Sequence, residues 1–285
     1  MPEKQDTQQW TSVIKPVSGW FDIHLAELWR YRDLIMLFVR RDFVSVYKQT
    51  ILGPLWFLIQ PLFTTLVFTV IFGKVAKIPT DGIPPVIFYM SGIVFWNYFS
   101  GCLDKTSNTF VGNAGIFGKV WFPRLTVPLS IVISNLITFG IQFALFLCFY
   151  FYFFLKGAAI FPKPLILMTP FLILQMAALG LGLGIIVSSM TTKYRDLRYL
   201  VGFGVQLWMY ATPIVYPTSQ IPVKYQWVIA LNPMAPVIEA FRYAFLGAGT
   251  VQPWQMGLSI ATTLIILTIG VILFSRIEKS FMDTV

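Results

Sequence analysis

Charge is scarce in this 285-residue chain, with 12% Asp, Glu, Lys and Arg together, about half the roughly 25% usual in soluble domains. That scarcity argues against a water-soluble enzyme and for lipid as solvent. Histidine occurs once, at His24, and cysteine twice, at Cys102 and Cys148, without a CxxC spacing. No disulfide framework, metal cluster or Cys-His pair can be argued from so few groups. Between residues 50 and 275 the carboxylates are Asp81, Asp104, Asp196 and Glu239 alone, dispersed along the chain. A paired-carboxylate catalytic site would need several converging on one pocket. The nucleotide motifs fail as well. The stretch 113–120 (Asn113-Ala-Gly-Ile-Phe-Gly118-Lys119-Val120) has Asn in place of the first P-loop Gly and Val in place of the magnesium-binding Ser or Thr. Gly180, Gly182 and Gly184 lack the last dinucleotide Gly, Ile185 standing there, and such small residues more often let membrane helices approach closely. Catalysis by this chain is therefore not expected.

What is abundant is apolar surface. Apolar residues make up 56% of the chain, with 27 Phe, 12 Tyr and 9 Trp, and the mean hydropathy is +0.72. They fall in six blocks without Asp, Glu, Lys, Arg or His: 52–73, 83–103, 125–155, 164–190, 199–217 and 254–275. A crossing helix needs about 20 residues, so each block qualifies, 199–217 being the shortest. The block 125–155 would reach about 46 Å as a helix, more than the ~30 Å hydrocarbon layer, and should tilt or protrude. The expected fold class is an all-α polytopic membrane protein with six transmembrane helices.

The formal net charge of +9 would suit nucleic acid, but the basic residues lie between apolar blocks. Of 21 Lys and Arg, 15 fall in 1–50, 104–124, 191–198 and 276–285; the others are Lys74, Lys77, Lys156, Lys163, Lys224 and Arg242. The positive-inside rule makes the richer side cytoplasmic, which places both termini inside and leaves no nucleic-acid role. Residues 1–50 are polar and basic, without the apolar run of a signal peptide.

Two connecting regions stand out. In 1–50, Asp22 and Asp33 can cap successive helices ending near Tyr31 and Gln49. Ile35, Val39, Phe43, Val46 and Tyr47 then share one face and Arg41, Ser45 and Lys48 the other. This N-terminal amphipathic cytoplasmic helix suits either the inner membrane surface or a partner subunit. In 218–253, prolines 222, 233 and 236 interrupt apolar runs too short to cross. Two short helical pieces are expected there, either re-entrant on the outer side before the last span or lying in a surface loop. Between the second and third blocks, 108–121 is unexpectedly apolar for a cytoplasmic loop. Ile116, Phe117 and Trp121, with Lys119 and Arg124 as a charged rim, suit a partner's groove, or else an interfacial helix on lipid.

The six blocks hold no carboxylate, His or Lys of the kind that ion-coupled transporters place at membrane depth. A transporter built this way must draw energy from a partner. Phe88, Phe95 and Phe99 share a stripe in the second block, with Tyr89 and Trp96 beside it. Aromatic rings stack on the apolar faces of sugars, so the stripe is a candidate glycan channel, although lipid-facing rings would look the same.

Several motifs occurring in order resemble the permease subunits of type-2 ABC exporters for polysaccharides (O-antigen, capsule or teichoic acid). They are Arg40-Arg41-Asp42 with Tyr47-Lys48-Gln49-Thr50-Ile51-Leu52-Gly53-Pro54-Leu55-Trp56 and Gln60-Pro61-Leu62; Lys119-Val120-Trp121-Phe122-Pro123-Arg124 with Pro128-Leu129-Ser130; Tyr194-Arg195-Asp196-Leu197 with Trp208, Pro213-Ile214 and Tyr216; and Leu231-Asn232-Pro233-Met234 with Phe241-Arg242. Pro54 stands where that family more often has an apolar residue. The resemblance spans roughly residues 20–285. It implies a homodimer of six-span subunits in a bacterial cytoplasmic (inner) membrane, joined to two copies of a separate P-loop ATPase that carries the ATP and magnesium. It also implies an ATPase-coupling helix after the second span, placing Ile116, Phe117, Lys119, Trp121 and Arg124 in that role. Re-entrant outer helices would close the channel, making Glu239 and Arg242 a candidate gate pair, although their i, i+3 spacing also fits a local helix salt bridge. The implied substrate is a lipid-linked polysaccharide, and this chain needs no cofactor. The competing functions are an ABC permease for drugs or lipids, and a membrane glycosyl- or acyltransferase.

Overall fold

A computed structural model of the chain describes residues 25–48, 51–194 and 196–280. Every regular element among them is helical. Two helices precede the bundle, α1 (Leu25–Arg30) and α2 (Arg32–Lys48), followed by α3 (Trp56–Phe68), which continues as a π-helical stretch over Thr69–Val75. Next come α4 (Pro85–Ser107), the short α5 (Thr109–Phe117), α6 (Thr126–Leu155) and α7 (Thr169–Thr191). The chain ends with α8 (Leu197–Ala211), α9 (Gln226–Ala230), α10 (Met234–Leu246) and α11 (Pro253–Ser280). The expected cap at Asp22 lies outside the described residues.

Among the described residues, five segments are long and apolar enough to cross a membrane: Gly53–Val75, Pro85–Ser107, Thr126–Leu155, Pro164–Thr191 and Pro253–Glu278. The fifth apolar block, 199–217, departs from its expected form. It is helical only to Ala211, and α8 has 15 residues, about 22 Å of helix against a hydrocarbon layer of ~30 Å. The reason is local. Thr212 precedes Pro213, whose ring excludes the α conformation from the residue before it, and Thr212 is extended at φ −98°, ψ 144°.

The centre of the bundle is α4, 78% of whose apolar window is buried, against 17% for the segment containing α3. Glycines bring α7 against two neighbours at once. Because i and i+4 share a helix face, Gly180 and Gly184 meet α4, where an added Cβ would lie 2.8 Å from Cys102 Cβ and 2.6 Å from Thr106 Cβ. Gly182 faces the other way, towards α11, where a Cβ would come within 2.9 Å of the Leu267 backbone. The triplet that failed as a dinucleotide motif is thus a packing device. Gly182→Leu is expected to destabilise the protein by about 1–3 kcal/mol through overpacking against that backbone. The check is unfolding of the detergent-solubilised protein; an unchanged stability would show that α7 and α11 can separate at no cost.

A second, smaller core closes the end of the bundle where α4 stops. Phe38 of α2, Phe110 and Phe117 of α5, Phe122, Val127, Ile185 and Phe274 pack together there, with the Phe110 and Phe274 rings stacked at 4.5 Å. It fastens α2 to the bundle through the buried Phe38. Ile35 and Phe43 are half-buried, and Arg41 and Lys48 are exposed. Met36 and Leu37 are also exposed, so α2 keeps apolar surface on its outward side.

Candidate functional site

At the Pro85 end of α4, helix α10 is held at both ends by groups outside it. Asn232 organises its start. Asn232 Oδ1 accepts from Met234 N at 3.0 Å and from Trp208 Nε1 at 3.1 Å, while its amide donates to Thr212 Oγ1 at 2.9 Å. One side chain therefore ties the end of α8 to the beginning of α10. Ser259 of α11 donates to Pro233 O at 2.5 Å and accepts from Gln175 Nε2 at 2.6 Å. The last carbonyls of a helix have no partner within it. Here Lys163 N donates to Ala244 O at 2.8 Å and Phe161 N to Leu246 O at 3.3 Å. Gly247 ends the helix in the left-handed region at φ 76°, which a side chain would resist.

Arg242 points from α10 into the protein and is 1% exposed. Its Nε donates to Ser91 Oγ at 3.2 Å, Nη1 to Pro213 O, and Nη2 to Ile214 O at 2.8 Å and Phe88 O at 3.4 Å. The guanidinium also lies 3.8 Å over the Phe88 ring. Gly92 makes room for it, since a Cβ there would sit 3.0 Å from Nη2. Glu239 lies 3.7 Å away from Nη1, a distance that gives Coulombic attraction but not a good hydrogen bond. The carboxylate is held instead by Thr218 Oγ1 at 2.8 Å and Thr250 N at 3.3 Å. The i, i+3 pair is therefore more than a local helix bridge: each member binds segments outside α10. Burial pushes the Glu239 carboxyl above its usual range, opposed by Arg242 and the two hydrogen bonds. Burial likewise lowers Arg242, opposed chiefly by Glu239.

Sequence spacing placed the four carboxylates apart, but two of them meet this corner. Ser219 donates to Asp81 at 2.8 Å, next to the Thr218 that binds Glu239. Ser91, Gly92 and Thr218 carried no functional signal in the sequence; Asn232 stood out only within the Leu231–Met234 motif of the resemblance.

The aromatic stripe lies inside the bundle. Phe88, Tyr89, Phe95, Trp96 and Phe99 are each less than 5% exposed. Phe95 is covered by Phe241 of α10 at 3.9 Å and flanked by Phe139 at 5.4 Å. Trp208 of α8 packs on Trp96 and Phe99, at 6.1 and 5.2 Å. Tyr89 meets Phe68 at 6.2 Å.

At the other end of α4, α5 turns one side inward and one outward. Phe117, at 5% exposed, belongs to the core, whereas Ile116 (37%), Val120 (59%) and Trp121 (56%) face out. Lys119 is exposed. Arg124 is half-buried, its Nη1 donating to Glu278 O at 2.8 Å and its guanidinium 5.4 Å over the Phe117 ring. Trp121 leans edge-on against Tyr31, centroids 6.5 Å apart. Of the five residues expected at a coupling surface, Ile116, Lys119 and Trp121 are presented outward. Phe117 and Arg124 fasten the helix from behind. Periodicity could not separate them, because α5 is only nine residues long and apolar on most sides.

Comparison with known proteins agrees with this architecture. The chain is similar to the O-antigen export system permease protein RfbA of Klebsiella pneumoniae, 27% identical over 251 residues, which cover 88% of this chain and 94% of that protein. The RfbA of Myxococcus xanthus is 28% identical over 226 residues, 78% of this chain and 83% of the relative. Polysialic acid transport protein KpsM of Escherichia coli is 22% identical over 248 residues, 86% and 93%. Residues 33–246, from α2 through α10, match the family model described as ABC-2 type transporter, and this chain belongs to that family.

Proposed function

We propose that the chain is the transmembrane subunit of an ATP-driven exporter that moves a lipid-linked polysaccharide outward across a bacterial inner membrane. The observation that carries this is similarity running nearly end to end with permeases whose names specify O-antigen export, covering up to 94% of their length. Polysialic acid transport in a further relative supports a glycan over a drug or lipid. A glycosyl- or acyltransferase finds no comparable support.

The proposed subunit has six crossings and both termini inside, with 1–50 as the cytoplasmic segment and 51–285 as the permease. The count of six rests on where α8 runs. Its first turn shares a pocket with Asn108 and Thr191 beyond the inner end of α4. The chain that follows reaches Asp81, ahead of α4, through Ser219. In this reading the short helix and the non-helical 212–217 together make the crossing, and backbone of that kind is tolerated where protein surrounds it. Two such subunits would join two copies of a P-loop ATPase, which supplies the ATP and magnesium.

In this reading Ile116, Lys119 and Trp121 meet the ATPase, backed by Phe117 and Arg124. Helices α9 and α10 dip from the outer side, and Glu239 and Arg242 hold α10 shut. The rings of Phe88, Tyr89, Phe95, Trp96 and Phe99 back the glycan route. Phe95 becomes available to sugar when Phe241 withdraws with α10. The experiment is deletion of the chain's gene in a strain that displays a surface glycan. Lipid-linked glycan is expected to accumulate on the cytoplasmic side and surface glycan to disappear. Undiminished surface display would overturn the proposal.

A further inference from the structure

Beside the gate pair lies a pocket of about 120 Å³ whose wall is mostly uncharged hydrogen-bonding side chains. Gln226 comes from α9, Gln255 from α11, Gln252 and Thr250 from the turn between α10 and α11, and Thr218 from the segment ahead of α9. Ile221 and Ile229 form an apolar patch in the same wall. One water needs roughly 10–15 Å³ of such space, so the pocket has room for a group the size of about ten waters, comparable with one sugar ring.

The chemistry of the wall selects the class of ligand. Each glutamine amide offers donors and an acceptor together, the combination that matches neighbouring hydroxyl groups. Trp254 Nε1 donates to Gln252 Oε1 at 2.8 Å, which fixes the orientation of that amide. The Ile221 and Ile229 side chains suit the apolar C–H face of a sugar ring. Among the described residues, the charged group in the wall is the Glu239 carboxylate. Arg242 balances it at 3.7 Å from the side of Oε1, while Oε2 is held by Thr218 and Thr250, both lining residues. With Asp81 bound to the lining residue Ser219, an anion would meet two carboxylates; a bare cation would find amides and a nearby guanidinium.

We propose that this pocket binds one uncharged sugar residue of the glycan. The inference rests on the polysaccharide reading above. Occupancy is coupled to α10, because Glu239 lines the pocket with one side of its carboxylate and faces Arg242 with the other.

The test is saturation-transfer NMR on the full-length chain in lipid nanodiscs, using glucose, galactose, mannose, N-acetylglucosamine and, as the acidic control, glucuronic acid. At least one neutral sugar should give signal and glucuronic acid should give little or none. Gln252→Leu and Gln255→Leu should each weaken the binding about fivefold, the ratio to which roughly 1 kcal/mol corresponds, with unfolding of the protein unchanged. Absence of signal from every neutral sugar, equal signal from glucuronic acid, or wild-type binding in both variants would each overturn the subsite. The outcomes separate from those of the deletion experiment. Surface glycan persisting without the chain sinks the exporter reading, whereas a chain that exports but binds no sugar here sinks the subsite alone.

Discussion

Arg242→Ala is expected to destabilise the protein by about 3–5 kcal/mol, the usual cost of removing one partner of a buried ion pair. The loss has two parts. Glu239, itself buried, keeps its hydrogen bonds from Thr218 and Thr250 but loses its counter-charge. The carbonyls of Pro213 and Ile214 lose the donors that fasten the turn after α8 to α10. Arg242→Lys should recover little, because a point-like ammonium cannot serve Ser91, Pro213, Ile214 and Phe88 with one planar fork. Glu239→Gln should be the mildest of the three: its amide oxygen can still accept from Thr218, and Arg242 retains its carbonyl partners. Denaturant unfolding of the purified protein ranks the variants, and surface glycan in whole cells reports export. Full stability and full export in Arg242→Ala would show that neither the packing of α10 nor its closure depends on this residue.

Ile116→Asp and Val120→Asp should abolish export while leaving the protein folded and inserted, because both side chains face outward on or just after α5. An aspartate pressed into a partner's apolar groove costs on the order of several kcal/mol, enough to release the ATPase. Phe117→Asp is a different experiment. That ring sits in the small core between Phe110 and Phe122, so the variant should fail to fold and by itself says nothing about coupling. Pull-down of the partner ATPase and measurement of surface glycan decide the matter. Wild-type recovery of the ATPase and intact export in both outward-facing variants would remove α5 from the coupling role.

The site was legible to different depths at its two ends. For α5, the anomaly of an apolar loop on the basic side was enough to locate it, since a segment's hydropathy survives whatever its partners are. Which of its residues face outward depended on Phe38, Phe122 and Phe274 arriving from three other parts of the chain. For α10, Glu239 and Arg242 drew notice as rare charges in apolar surroundings. Their partners Ser91, Thr218, Thr250 and the carbonyls of Pro213 and Ile214 were invisible, because a backbone carbonyl has no signature in sequence. The aromatic stripe shows the same limit: spacing places Phe88, Phe95 and Phe99 on one face of α4, but spacing is blind to the Phe241 and Trp208 rings that cover that face.

By itself, the sequence determined the helical class and the apolar segments. It did so because burial of backbone polar groups in lipid permits few architectures, and each leaves a periodic or compositional trace in a contiguous stretch. Tertiary structure alone decided that α4 lies at the centre. It also decided that two separated carboxylates share one corner with Arg242. These outcomes depend on pairs of groups far apart in the chain. Gly184 meets Thr106, Ser219 meets Asp81 and Arg242 meets Ile214, and no contiguous stretch of sequence carries the trace of such a pair.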